Sequence, residues 1–337
     1  GAVCRSGRAL LLAFRLRIPC SLPMDPLRDI LRRVERETGC NDLAQILGKQ
    51  LESGDLHSLL LAAFRERSRQ RTPGQVLSDY LDQTLMRPCA IDARVFLAWD
   101  QTVYRFLPAA FTPLELSPVC PFGSHSTFAT VSQDKTLVTI RGAEVISDAT
   151  NVLALEAASR RRSLLRQTPR DATTISLASS HRLVRTHSTA YPHFRLFHLI
   201  TAGRDTGDSR FECPALVEHL TIFLHALNTF LTPQAVLRVS LTDLTEGARE
   251  ARWQERILAP LRTRFPQIEI RFDPERLSGR GYYQECCFKL HAQRSGEWLE
   301  IGDGGFTDWT QRLLSDRKER LLISAVGSDR ICGLVTK

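Results

Sequence analysis

Nowhere in the 337 residues is there a stretch of about 18 apolar residues, so the sequence offers no span for a membrane helix. Nine cysteines are present, but no Cys-x-x-Cys pair; the one close pair is adjacent, Cys286-Cys287. An odd, scattered set reads as reduced thiols in a reducing compartment rather than a disulfide framework or a zinc site, and no metal ligands are assigned from it. A Walker-type phosphate loop is missing, as is the Gly-x-Gly-x-x-Gly turn of dinucleotide binders. Acidic residues are absent from residues 1–23, where Arg5, Arg8, Arg15 and Arg17 supply half of the formal charge of +8. What remains, about +4, is too mild to argue for a nucleic-acid partner.

Residues 1–23 are either a transit-type segment, Arg-rich and acid-free, or sequence upstream of a start at Met24. The first reading implies a mitochondrial protein and the second a cytoplasmic one, and both leave these residues out of the fold. For the rest, the length predicts two domains, and the 43% hydrophobic content supports a sizeable core.

Residues 24–90 carry helical periodicity. Asp25-Pro26 is a start signal, with Leu27, Ile30, Leu31 and Val34 on one face and Gly39 as a stop. Leu43, Ile46 and Leu47 begin a second short helix. Asp55 caps a third, with Leu59, Leu60, Ala63 and Phe64 facing inward. Thr72-Pro73 opens a fourth through Val76, Leu77, Tyr80 and Leu81. The expectation is a small helical bundle without catalytic residues. The arginine run over 65–71 reads as a solvated helix end.

Residues 91–337 change character. A helix over 92–107 leads to "FTPLELSP", read as a strand ended by proline, and residues 127–142 read as two strands around Gln133-Asp134-Lys135. A helix follows "SDATNV", capped by Asp148 or Thr150. Arg160–Arg162 near its end suit the helix dipole. The amphipathic helix over 213–231 carries His219 and His225, read as partly exposed for want of a third donor at metal-ligand spacing. Strands recur at "AVLRVSLTDL", "IEIRFD", "GRGYYQECCFKLHA", "WLEIGDGGF" and "LLISAVG". The predicted fold is α+β: an antiparallel mixed sheet built from hairpins and flanked by helices, preceded by the bundle.

One hairpin, residues 180–205, raises a question of charge. Arg185 and Arg195 sit among apolar strand residues, where an unpaired cation is costly. An anionic ligand on one face of the sheet would resolve the cost, since the guanidinium fork matches phosphate oxygens. Arg195 can instead pair with Asp205 or Glu218.

In segment order and short motifs, residues 92–330 resemble the catalytic core of class II aminoacyl-tRNA synthetases, above all histidyl-tRNA synthetase and its paralogue, the ATP phosphoribosyltransferase regulatory subunit. "FTPLELSP" resembles that class's first motif, which implies a homodimer formed through residues 92–118. "VISDATNVLALEAASRR" is similar to the segment that holds the substrate amino acid, placing Asp148 and Thr150 by its α-amino group. "LVRTHSTAYPHFRLFHL" resembles the second motif and puts Arg185 on the α-phosphate of ATP, with Arg195 and His187 nearby. "SGRGYYQECCFKL" resembles the Gly-Tyr-Tyr strand, with Tyr282 and Tyr283 flanking the amino-acid pocket, and "AVGSDR" the third motif, with Arg330 against the ATP.

The departures are specific. His187 replaces the acidic residue expected after Arg185, Leu199 the expected glutamine, and Ser278 the expected arginine, for which Arg276 or Arg280 could stand in. Phe306 and Thr307 replace an arginine and a tyrosine, and seven residues follow Arg330, too few for an anticodon-binding domain. The resemblance therefore implies a protein that binds ATP, with Mg²⁺, and an amino acid or similar carboxylate. It is either regulatory, with a possible protein partner, or an adenylate-forming ligase for a non-standard acceptor. tRNA is not expected as its standard substrate.

Overall fold

The computed structural model describes residues 26–186, 193–231 and 235–336. The chain divides into two compact units, Gly1–Ala63 and Phe64–Lys337. In the first, α1 (Pro26–Thr38) ends at Gly39, whose positive φ of 70° is the left-handed stop that glycine adopts without strain. After α2 (Leu43–Gln45) and a single π turn (Ile46–Gln50) comes α3 (Ser53–Arg69), which runs across the division. Asp55 lies in the first turn of α3 rather than before it. In the second unit α4 (Pro73–Asp82) is closed by a full capping box between Thr72 and Gln75. The helices form where the periodicity put them, but their apolar faces do not build a core. No described residue between 27 and 82 is buried, and Leu59 and Phe64, expected inward, are half exposed.

The rest of the second unit is organised by one sheet. Asp92 caps α5 (Ala93–Arg105), after which β1 (Phe111–Pro113) runs parallel to the later β4. A separate two-stranded ribbon pairs β2 (Val119–Pro121) with β3 (Ala143–Val145), with the short α6 (Ser124–Thr127) between them. Gln133–Lys135 is a 3-10 turn as expected, but its flanks are irregular instead of forming a hairpin. α7 (Ala149–Gln167) leads into the antiparallel hairpin β4 (Ile175–Val184) and β5 (His193–Arg204), and α8 (Glu212–Leu231) follows. Then come β6 (Val236–Asp243), a helical stretch holding α9 (Glu250–Trp253) and α10 (Ala259–Arg264), and β7 (Glu269–Phe272) parallel to β6. β8 (Gln284–Arg294) and β9 (Glu297–Thr307) form a second long hairpin, α11 (Trp309–Leu314) crosses over, and β10 (Glu319–Gly327) and α12 (Ser328–Val335) finish the chain. The eight strands lie in the order β1-β4-β5-β10-β9-β8-β6-β7.

Side-chain alternation gives this sheet two different faces. On one, Ala178, Phe197, Leu199, Phe288, Leu290 and Leu322 pack beneath α5, α8 and α12. On the other, Leu177, Ile200, Ala202, Cys287, Leu321 and Ile323 pack beneath α7 and α11. Cys286 and Cys287 fall on opposite faces, so the adjacent pair is packing, as strand spacing requires. The arginines of α7 depart from the reading as cations that serve the dipole at a helix end. Arg161 is wholly buried in mid-helix, forked onto Glu319 at 2.7 and 2.9 Å, and it also donates to the carbonyls of Asp171 and Thr173. His219 is likewise fully buried, held by Thr201 at 2.9 Å and Ser324 at 2.8 Å. The spacing of α8 placed it on the helix, but that helix has nearly all its faces covered.

Candidate functional site

The α7 face is covered at one end of the sheet and open at the other, where β4, β9 and the start of α7 converge. Asp148 is the N-cap of α7: its Oδ1 accepts the Thr150 amide at 2.9 Å and the Thr150 hydroxyl at 2.6 Å. Thr150 is buried, so it orients Asp148 without facing the cavity itself. Arg185 leaves the end of β4 on this side. Its Nε donates to the Ser147 carbonyl at 3.2 Å, its Nη2 lies 3.9 Å from Asp148 Oδ2, and its guanidinium sits 5.0 Å from the centre of the Phe194 ring. With 47% of its side chain exposed, it retains donors for a ligand.

Arg185 borders two cavities. The first, about 660 Å³, is walled by Ser147, Asp148, Arg185, Arg276, Tyr282 and Tyr283, with Asp303 on its floor. The Tyr283 hydroxyl donates to Asp303 Oδ2 at 3.1 Å, and the same carboxylate lies 3.7 Å from Arg276. Burial pushes both phenols and the Asp303 carboxyl above their ordinary values, with Arg276 pulling Asp303 back; the tyrosines therefore act as hydrogen-bond donors at neutral pH. Gly305 makes this wall possible, because a Cβ there would stand 2.7 Å from the Tyr283 ring. Arg276 is almost wholly buried, with Nη1 left without a partner. Among the replacements for the missing arginine it is Arg276, not Arg280, that reaches the cavity.

The second cavity, about 390 Å³, contains Arg185, Phe194, Leu196, Gly327 and Arg330, and shares Glu300 and Asp303 with the first. Arg330 Nη1 donates to the Glu300 carbonyl at 2.5 Å and is otherwise exposed. The structure thus gathers Arg185, Asp148, Tyr282 and Tyr283 on one cavity and Arg185 and Arg330 on its neighbour. Arg195 borders the second cavity, but its guanidinium turns to the other face and pairs with Asp100 of α5 at 2.8 Å. Neither Asp205 nor Glu218 is its partner; Asp205 instead takes Arg320 at 2.8 Å. His187 lies outside the described residues.

Asp303, Glu300, Lys289 and Ser147 are site residues that no sequence motif singles out. The signal was available for Asp303 and Lys289: they are register partners in the β8–β9 hairpin and alternate onto the same face as Cys287. Alternation also corrects Leu199, which lies under α8 in the sealed core. The neighbouring residue on the α7 side is His198, fully buried, its ring nitrogen Nδ1 3.2 Å from the Ser179 carbonyl and its pKa pulled down to about 4 by burial.

No protein-family model matches this sequence, and no curated protein matches it by sequence. Solved structures do match it in shape. An apo histidyl-tRNA synthetase from S. aureus superposes with a TM-score of 0.53 at 15% identity over 72% of this chain and 65% of that one. A Bacillus halodurans structure described as an ATP phosphoribosyltransferase regulatory subunit/histidyl-tRNA synthetase gives 0.53 at 11%, over 76% of this chain and 83% of its own. A histidine–tRNA ligase subunit from Alicyclobacillus acidocaldarius gives 0.52 at 13%, over 75% and 96%. The chain therefore spans just under two thirds of the S. aureus synthetase and most of the two others. At these identities the likeness is one of architecture, and the chain has the fold of the class II aminoacyl-tRNA synthetase core.

Proposed function

We propose that this protein binds ATP and an amino acid or similar carboxylate in the two adjoining cavities, and that it does so as a regulatory, synthetase-like protein rather than as a tRNA-charging enzyme. One observation carries this reading: Arg185 lies on both cavities, beside Asp148 in the first and across from Arg330 in the second. An ammonium group suits Asp148, a carboxylate suits Arg276, and the α-phosphate falls to Arg185, between them. Arg330 supplies a second cation, and Phe194 offers a purine a ring to stack on.

The donor set fits the nucleotide better than a resident Mg²⁺. Each carboxylate on the second cavity already has a protein partner. Glu300 pairs with Lys289 at 2.6 Å, Asp303 accepts from Tyr283, and Asp329 Oδ2 accepts the Arg195 amide at 2.5 Å. Any Mg²⁺ would arrive with the triphosphate. This commitment of the acidic groups favours binding over catalysis.

The same reading makes the protein a homodimer through residues 92–118. In support, α5 leaves Leu97 67% exposed, and Tyr104, Leu107, Pro108, Phe111 and Pro113 line a shallow apolar groove beside it. Unpaired thiols at Cys40, Cys89, Cys120, Cys213, Cys286, Cys287 and Cys332 suit the cytoplasm. Among the described residues no helix is long and apolar enough to cross a membrane.

Thermal-shift titration with ATP and a panel of amino acids, run beside ATP–pyrophosphate exchange, tests the proposal. ATP at about a hundred times its Kd should stabilise the fold by about 2.7 kcal/mol, and Arg185→Ala should abolish that shift without exchange appearing in either protein. Exchange above background would establish the alternative, an adenylate-forming ligase. No shift at millimolar ATP would end the nucleotide reading.

A further inference from the structure

Behind the wall that carries Ser147 and Asp148, the β2–β3 ribbon encloses Cys120, His125 and Glu144, all buried. One donor atom from each lies within 4.8 Å of the others. Cys120 Sγ is 3.6 Å from His125 Nε2, and Nε2 is 3.9 Å from Glu144 Oε1. In a tetrahedral zinc site, bond lengths of about 2.3 Å to sulfur and about 2.05 Å to nitrogen put those two atoms about 3.5 Å apart, and a nitrogen–oxygen pair about 3.4 Å apart. The sulfur–nitrogen spacing is thus already that of coordinated ligands, and the carboxylate has to close in on both, by about half an ångström toward the nitrogen.

The tautomer is the required one. The Ser147 amide points its hydrogen at His125 Nε2 from 3.1 Å, so Nε2 carries the lone pair and Nδ1–H donates to Asn151 Oδ1 at 2.7 Å. A side-chain oxygen holding the far nitrogen is the usual support of a metal-bound imidazole. Glu144 is held by amides from Gly123 and His125 and by Gln133, and among the described residues no lysine or arginine pairs with it. A fully buried carboxylate without a cation is expensive. Two buried polar atoms next to the cluster, Ser147 Oγ and Asn151 Nδ2, have no partner at all.

We propose that Cys120, His125 and Glu144 form a structural zinc site, with the Ser147 hydroxyl or a water as fourth ligand. Thiolate and carboxylate together neutralise the dication, leaving an uncharged site suited to its burial. The thiol proton is released to solvent as the sulfur–zinc bond forms. The amide of Ser147 gives up its bond to Nε2, a small loss beside three coordinate bonds. Because the Ser147 carbonyl takes Arg185 Nε, the ion would brace the wall of both cavities from behind.

The test is metal analysis of the full chain purified without a metal-affinity step, followed by cobalt substitution. Stoichiometric zinc is expected, with a thiolate-to-cobalt charge-transfer band that Cys120→Ser abolishes and Cys40→Ser, at an exposed cysteine, preserves. Glu144→Gln should weaken zinc retention against a graded chelator by tenfold or more. If Cys120→Ser fails to fold, the wild-type cobalt spectrum decides. A folded wild type with neither zinc nor a thiolate band, or a Cys120→Ser protein that keeps both, overturns the proposal.

Discussion

The two faces of the eight-stranded sheet do different work with the same strands. Beneath α5, α8 and α12 the face is sealed by a broad apolar layer, broken by the neutral His219–Thr201–Ser324 cluster and by the Arg195–Asp100 pair. Beneath α7 and α11 the cover is shorter and held by charge. The Arg161–Glu319 fork anchors one end, and the other end opens into the cavities around Arg185. A sheet that must present charged groups to a ligand can leave one face incomplete only if the other supplies most of the core.

If that division holds, the largest single loss lies at the anchor of the open face. Arg161→Ala strands a buried Glu319 carboxylate, for which, among the described residues, Arg204 at 3.6 Å is the cation that remains, and should cost about 3–5 kcal/mol in a denaturant titration. A cost near zero would mean that α7 is held by apolar packing alone and that the contrast between the faces is wrong. Leu199→Ala, on the sealed face, should follow at about 3 kcal/mol as a cavity between β5 and the helices above it. Since Leu199 touches neither cavity, any ATP-induced shift should survive in that variant.

The sealed face should also be legible in its pH dependence. Burial holds His219 neutral and drives its pKa from 6.5 down to about 3. The unfolded chain takes up that proton near pH 6.5, and the folded chain does so only near pH 3. Stability is therefore complete above about pH 6.5 and falls as the pH drops through that window, by about 1.4 kcal/mol per pH unit for this one group. His219→Gln should flatten the profile between pH 6 and 4 relative to wild type. An unchanged slope would place the acid sensitivity elsewhere, with His198 the next group to examine, since its pKa is lowered to about 4.

Much of this architecture could be read in advance because its signals are local. Thr72 caps its helix as its side chain suggests, and the long hairpins of β4–β5 and β8–β9 follow β-branched and aromatic runs. What could not be read depends on which face a residue turns to. Arg185 and Arg195 look equivalent in the hairpin, yet odd spacing from two different strands sends Arg185 to the cavities and Arg195 to Asp100. Arg161 was indistinguishable from its neighbours Arg160 and Arg162 because its partner, Glu319, lies 158 residues away. The helices over 26–82 show the opposite failure: perfect amphipathic spacing with no residue buried. Periodicity announces a face that can be covered, without saying by what.

The smallest expected effect is the sharpest probe of the open face. Tyr282 packs edge-on against Tyr283 at 4.8 Å and Trp309 at 5.8 Å between ring centres and lines the first cavity, where its hydroxyl is the polar atom its side chain can offer a ligand. Tyr282→Phe keeps both ring contacts and should leave stability within about 0.5 kcal/mol of wild type. If the first cavity holds a polar ligand against that hydroxyl, the same substitution should weaken its binding severalfold while leaving ATP binding to the second cavity unchanged. Equal losses for both ligands would mean that the two cavities form one site without internal division. A loss of stability above 1 kcal/mol would show that the hydroxyl is part of the core, making this face as closed as the other.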